Sequence, residues 1–173
     1  MPQEFVLNRT LLRIMLAGVL ALTALFAVAM LRYSGKPPVK LQARDCDSDL
    51  WKHVYRPGRL HVSEECTTVE GRVSSVHRAS DGDLHIGLDP EQASVLNLVN
   101  RMHGRGQLVV EIVCEHSPKD AIESAACQGF TPHVTVPAVG DRIRVTGAYV
   151  TDRENGWNEV HPVTRIEVLQ QGR

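Results

Sequence analysis

Residues 140–163 read GDRIRVTGAYVTDRENGWNEVHPV, and their alternation leaves this part of the chain little choice of fold. Ile143, Val145, Gly147 and Tyr149 share one parity, while Arg142, Arg144, Thr146 and Ala148 share the other. A period of two with one apolar face is the pattern of a half-buried strand. Asn155-Gly156 then supplies two residues that tolerate positive φ, so a two-residue hairpin turn is expected, with a second strand starting at Trp157. On that strand Glu159 and His161 fall on the polar parity with Trp157, and Val160 on the apolar one.

The same period recurs upstream. Val69, Gly71 and Val73 share a parity that shifts at Val76, which predicts a bulge near Ser74-Ser75 where a long first strand, 67–77, bends. Asp81-Gly82 is a turn, after which Leu84, Ile86 and Leu88 face the core and Asp83, His85 and Gly87 face away. Asp89-Pro90 reads as an N-cap and first helical residue, so a helix is expected from there to about Arg101. Strand three, 108–114, is apolar except for Glu111. A helix-prone piece lies in 117–126, and 131–139 is an extended approach to the fourth strand. The expected architecture is therefore mainly β: five strands with one or two short helices, closing into a small barrel.

Before this domain stands a segment of another kind. Ile14 to Leu31 is eighteen uncharged residues with no polar stripe, which at 1.5 Å per residue approaches the thickness of a bilayer core. The expected layout is an N-terminal stretch at 1–13, a transmembrane helix or signal segment at 14–31, a Pro/Gly-containing linker at 32–45, and a domain at 46–173. Arg9 and Arg13 form a basic start, and Ala27-Val28-Ala29 offers a cleavage site, so a secreted form is the alternative to a single-pass anchor. Arg32, Lys36, Lys40 and Arg44 oppose the orientation set by Arg9 and Arg13, and the cysteines decide between them. Cys46, Cys66, Cys114 and Cys127 all lie beyond the apolar run, as expected of a domain exported to an oxidising compartment. Three pairings exist, and Cys46 with Cys66 and Cys114 with Cys127 is the short-range one. A four-thiolate metal site is the competitor, but no C-x-x-C is present to nucleate it. From Cys46 to Cys66 the chain reads as a short helix followed by an extended arm, forming a lid stapled to the first strand.

Five short strands, a bent first strand, an element between strands three and four, and V-x-G in strands one and four resemble the OB-fold barrel. At finer grain, residues 46–168 resemble uncharacterised bacterial membrane-anchored or secreted proteins. The shared features are D-G-D-x-H (Asp81 to His85), E-x-H-P (Glu159 to Pro162), V-Y-x-P-x-R-L (Val54 to Leu60) and L-V-V-E (Leu108 to Glu111). The resemblance implies a fold and a location and carries no activity with it.

Chemistry must then come from the residues. In an OB topology Asp83, His85, Glu111, Glu159 and His161 share one patch, and these are ligand types for zinc or a harder divalent ion, with His85, His161 and Glu159 as the metal set. Trp157 beside them suits a binding face. The bland reading sets each against a structural role. Asp83 would bond amides of its own turn, Glu111 would pair with Arg142, Arg144 or Arg165, and a patch outside a barrel would be solvated. Residues 46–173 carry thirteen Lys/Arg against eighteen Asp/Glu, which disfavours nucleic acid as a partner. No G-x-S-x-G, nucleotide-binding glycine loop or H-E-x-x-H occurs. Two readings follow: an anchored extracytoplasmic module binding a protein, peptide or envelope component, without an organic cofactor; or a metal-dependent hydrolase acting on phosphodiesters.

Overall fold

The computed structural model describes residues 39–40, 45–119 and 121–172. The expected transmembrane or signal segment at 14–31 lies outside them, and among the described residues no helix is long and apolar enough to cross a membrane. Among the described residues are six strands and two short α-helices: β1 (Val39–Lys40), β2 (Leu60–Arg78), β3 (Leu84–Pro90), α1 (Leu98–Met102), β4 (Leu108–Ile112), α2 (Ala121–Cys127), β5 (Arg142–Asp152) and β6 (Asn158–Gln170). The linker is thus not wholly without structure, because Val39 and Lys40 pair with Thr68 and Thr67.

Strand order is β1-β2-β3-β4-β6-β5, and a further pairing of β2 with β5 brings the order of the five long strands back to its start. All neighbours are antiparallel except β4 and β6. The length of β2 makes this possible, since residues 60–72 pair with β5 and residues 71–78 with β3. Its bend coincides with the expected bulge, a register shift between Val73 and Ser75, where Ser74 Oγ donates to Gly87 O at 2.8 Å. Gly71, at the point where β2 serves both neighbours, must lack a side chain, because a Cβ there would lie 2.5 Å from Asp89 O.

One parity of every long strand meets in an apolar cluster that includes Val69, Ile86, Val110, Val145 and Val160, each fully buried. A second cluster lies on the other parity, where Leu50, Val54 and Leu60 pack on Val113, Ala148 and Val150. Both expected disulfides are present, Cys46–Cys66 and Cys114–Cys127, and no free cysteine occurs among the described residues. Two disulfides suit an oxidising, extracytoplasmic setting. Cys46–Cys66 fastens the arm at 46–59 to β2, and the arm lies along the outer side of the sheet.

Two local expectations are corrected. Asp89 and Pro90 do not start a helix; they end β3, paired with Arg72 and Gly71, a strand end where proline's missing N–H is tolerated. The helix starts eight residues later, where Asn97 and Asn100 form a reciprocal capping box. Nor is Asn155-Gly156 a two-residue turn. The loop spans 153–157 and is organised by Asp152, whose Oδ1 accepts from Glu154 N at 2.7 Å and Asn155 N at 3.3 Å and whose carbonyl accepts from Gly156 N at 2.7 Å. A carboxylate that caps two loop amides outweighs the bare Asn-Gly preference.

Candidate functional site

Period-2 alternation places the candidate residues together. Asp83 precedes β3 and His85 lies on it; Glu111 is on β4; Glu159 and His161 are on β6. Within their strands His85, Glu111 and Glu159 alternate with Ile86, Val110 and Val160 of the inner cluster. The ladders bring them into line, with His85 opposite Glu111, and with Val109 and Glu159 paired in the parallel β4–β6 ladder. The expectation of a solvated patch fails, however. His161 and Glu159 are 0% exposed, and Asp83 and Glu111 are 2% exposed. Arg59, at the end of the arm, reaches over Glu111 and Glu159, and the arm is joined to the segment after α2 by a stack of His53 on Phe130 with ring centroids 3.9 Å apart.

His161 is the centre of the cluster. Its Nδ1 lies 2.8 Å from Glu111 Oε2 and 3.2 Å from Glu159 Oε1, while its Nε2 points to Asp83 Oδ2 at 3.8 Å. His85 Nε2 reaches the other oxygen of Glu111 at 3.3 Å, so both histidines sit on one side of the sheet and share a carboxylate. Trp157 Nε1 donates to Glu159 Oε2 at 3.0 Å, which places the indole behind the carboxylate. Asp83 Oδ1 accepts from Cys114 N at 2.8 Å, so it tethers the end of β4 and does not cap its own turn. That role belongs to Asp81, whose Oδ1 accepts from Asp83 N at 3.2 Å.

The counter-ion is Arg59, a residue not among the expected partners of Glu111. Its guanidinium lies 3.7 Å from Glu111 and 3.8 Å from Glu159 and is hydrogen-bonded to Asp152. Arg142 and Arg144 instead pair with Glu70, and Arg165 with Glu167. Arg59 was visible only as the R of the V-Y-x-P-x-R-L segment. Asp152, buried at 0% exposure, gave no signal beyond ending a strand.

Burial and pairing set the charges. Burial opposes a cation at His161, but the Glu111 and Glu159 carboxylates override it and raise the imidazole to about 10. Burial would also raise Glu111, yet His161 at contact distance, with His85 and Arg59 behind it, lowers it to about 2. Asp83 is farther from the imidazole, so burial dominates and raises it to about 7. Glu159 is raised as well, by burial, against the pull of His161. Carboxylates with opposite shifts thus surround one imidazole, and distance to that ring separates them.

Beside this sealed cluster lies an open groove of about 370 Å³, lined among others by His77, His85, His103, Arg105, Gln107 and Trp157. Only His85 and Trp157, of the expected residues, line it; the other four lie behind them. His85 and Trp157 therefore connect the two, each touching a buried carboxylate on one side and the groove on the other. Asp83, Glu111 and His161 are the three that converge as ligand atoms, all within 4.8 Å of one another. Comparison of the chain with known protein-family models and with curated proteins finds no match.

Proposed function

We propose that this chain is an extracytoplasmic binding module, an OB-like barrel held at a membrane by its N-terminal segment, that takes an anionic segment of a protein, peptide or envelope component. The observation that carries the reading is the groove over β2, β3 and β4. Its lining offers Arg105, imidazoles, the Gln107 amide and the Trp157 indole, and none of its lining residues is a carboxylate, although the domain as a whole is acidic. Donors and a flat ring without competing acids suit carboxylate-bearing ligands. The corresponding strands form the binding face of OB barrels. The cyclic strand order, the parallel β4–β6 pair and the helix between β4 and β5 support the barrel assignment, and the resemblance through D-G-D-x-H and E-x-H-P agrees with it.

Titration of the full chain with an acidic decapeptide and a lysine-matched control, read by tryptophan fluorescence, tests this. Saturable binding of the acidic peptide alone, weakened about tenfold or more in R105A/H103A, is expected. Equal response to both peptides, or indifference to the variant, removes the reading.

The hydrolase reading draws on His85, which touches Glu111 and borders the groove. It requires turnover of bis-p-nitrophenyl phosphate with zinc or manganese added, and no turnover at metal saturation ends it.

A further inference from the structure

We infer that the buried cluster behind the groove is a divalent transition-metal site, with His161 Nε2, Asp83 Oδ2 and a Glu111 oxygen as its ligands. The inference does not rest on what the groove binds. Three observations carry it.

The first is convergence: one oxygen or nitrogen from each residue lies within 4.8 Å of the others, from three different elements. The second is that two of the atoms facing this point are buried without a hydrogen-bond partner. Asp83 Oδ2 and His161 Nε2 are hidden from solvent and make no hydrogen bond, on side chains that are at most 2% exposed, whereas Glu111 Oε2 is already engaged by His161 Nδ1 at 2.8 Å. Leaving such groups unpaired is costly, more so when they are charged, so an occupant that accepts their lone pairs has an advantage.

The third is the orientation of the imidazole. Metal-binding histidines present one ring nitrogen to the ion while the other donates to a carboxylate or carbonyl. His161 Nδ1 lies 2.8 Å from Glu111 Oε2 and 3.2 Å from Glu159 Oε1, Trp157 Nε1 holds the other oxygen of Glu159 at 3.0 Å, and Nε2 is left facing Asp83. Glu159 and Trp157 are thus positioning residues. His85 steadies Glu111 from the far side, and Arg59, bound to Asp152, offsets part of the cluster's negative charge.

One nitrogen and two carboxylates suit zinc or manganese better than calcium, and all four cysteines are tied up in disulfides, so sulfur ligation is absent from the described residues. On binding, Nε2 donates its lone pair to the ion and any proton it carried leaves to solvent, while Nδ1–H stays on Glu159. Three protein ligands leave one position of a tetrahedral site free, and the burial of all three side chains limits what can reach it.

The test uses the full chain with disulfides intact, stripped with EDTA and titrated calorimetrically with zinc chloride and with manganese chloride. Binding of one ion per chain is expected, with the melting temperature raised by about 5 °C or more at hundredfold excess over Kd. D83N and H161Q should each weaken binding about tenfold or more, and H61Q/H133Q, at exposed histidines outside both groove and cluster, should leave it unchanged. Should either cluster variant fail to fold, X-ray absorption at the zinc edge of the loaded wild-type protein decides. A nitrogen/oxygen shell containing one imidazole supports the site. A shell of two or more imidazoles, an unchanged melting temperature, or undiminished binding in folded D83N and H161Q overturns it.

Discussion

Around the charged cluster the two faces of β4 and β6 are equally buried and chemically opposite. Ile86, Val110 and Val160 point inward, each at 0% exposure, and Glu111 and Glu159 point outward at 2% and 0%. The inner face is stabilised by apolar area, which is non-directional, so shape errors cost in proportion to volume. The outer face depends on Arg59 and His161 being at particular atoms of particular carboxylates. A buried ion cluster contributes little net stability when complete and costs much when one member is removed. Equal burial therefore predicts unequal tolerance.

The largest contrast should appear on titration of the EDTA-treated chain, because pH acts on several outer-face groups at once. His161 is raised to about 10 from its ordinary 6.5, so its stabilisation is complete below pH 6.5 and is lost as pH rises toward 10. Asp83, raised to about 7 from 3.8, adds a loss in the same direction between those values. Glu111 is lowered to about 2 from 4.5, so its contribution is present above pH 4.5 and lost as pH falls toward 2. Denaturant midpoints should therefore peak near about pH 4, where the Glu111 gain and the Asp83 loss balance, fall from there toward pH 7 and on toward pH 10, and fall on the acid side toward pH 2. A flat profile from pH 5 to 10 would break the comparison.

Among single substitutions, Arg59→Met should cost about 3–5 kcal/mol in chemical denaturation, since it leaves Glu111, Glu159 and Asp152 buried without their cation. A loss below about 1 kcal/mol would mean the cluster is compensated some other way. Removing Cys46–Cys66, which pins the arm to β2 across 20 residues, should cost about 3 kcal/mol and raise hydrogen exchange on the outer parity first. On the inner face Ile86→Val should cost only about 1 kcal/mol, read by the same denaturation. The smallest effect is expected away from both faces. Gly156 has φ of 82° and only ordinary contact with Val99, so Gly156→Ala should cost about 1 kcal/mol, and no change at all would show the loop to be free to adjust.

Much of the strand pattern was legible because it is local. Val69-Gly71-Val73, Leu84-Ile86-Leu88 and Ile143-Val145 each mark an inner parity within a few residues, and the shift at Ser74-Ser75 marks the bulge. The helix start was misread at Asp89-Pro90 because an N-cap signal and a strand end can be written with the same two residues, and only the β2 ladder decides between them. The hairpin was misread because Asn155-Gly156 looks sufficient until Asp152 is seen to cap the loop ahead of it. Glu159, expected to reach solvent, is instead fully buried, so Glu159→Gln now bears on stability as well as on any ligand.

By itself the sequence determined the strand count of the domain, the side of each strand on which Asp83, His85, Glu111, Glu159 and His161 stand, and the short-range disulfide pairing. All of these follow from period-2 geometry or from short separation along the chain. Only the tertiary structure decided that this polar side is closed to water, that Arg59 is its cation, and that His161 turns Nδ1 to Glu159 and Nε2 to Asp83. Parity is a property of neighbouring residues, whereas burial depends on what else comes to cover them. Here Arg59, which reaches over Glu111 and Glu159, stands about a hundred positions before the histidine those carboxylates hold.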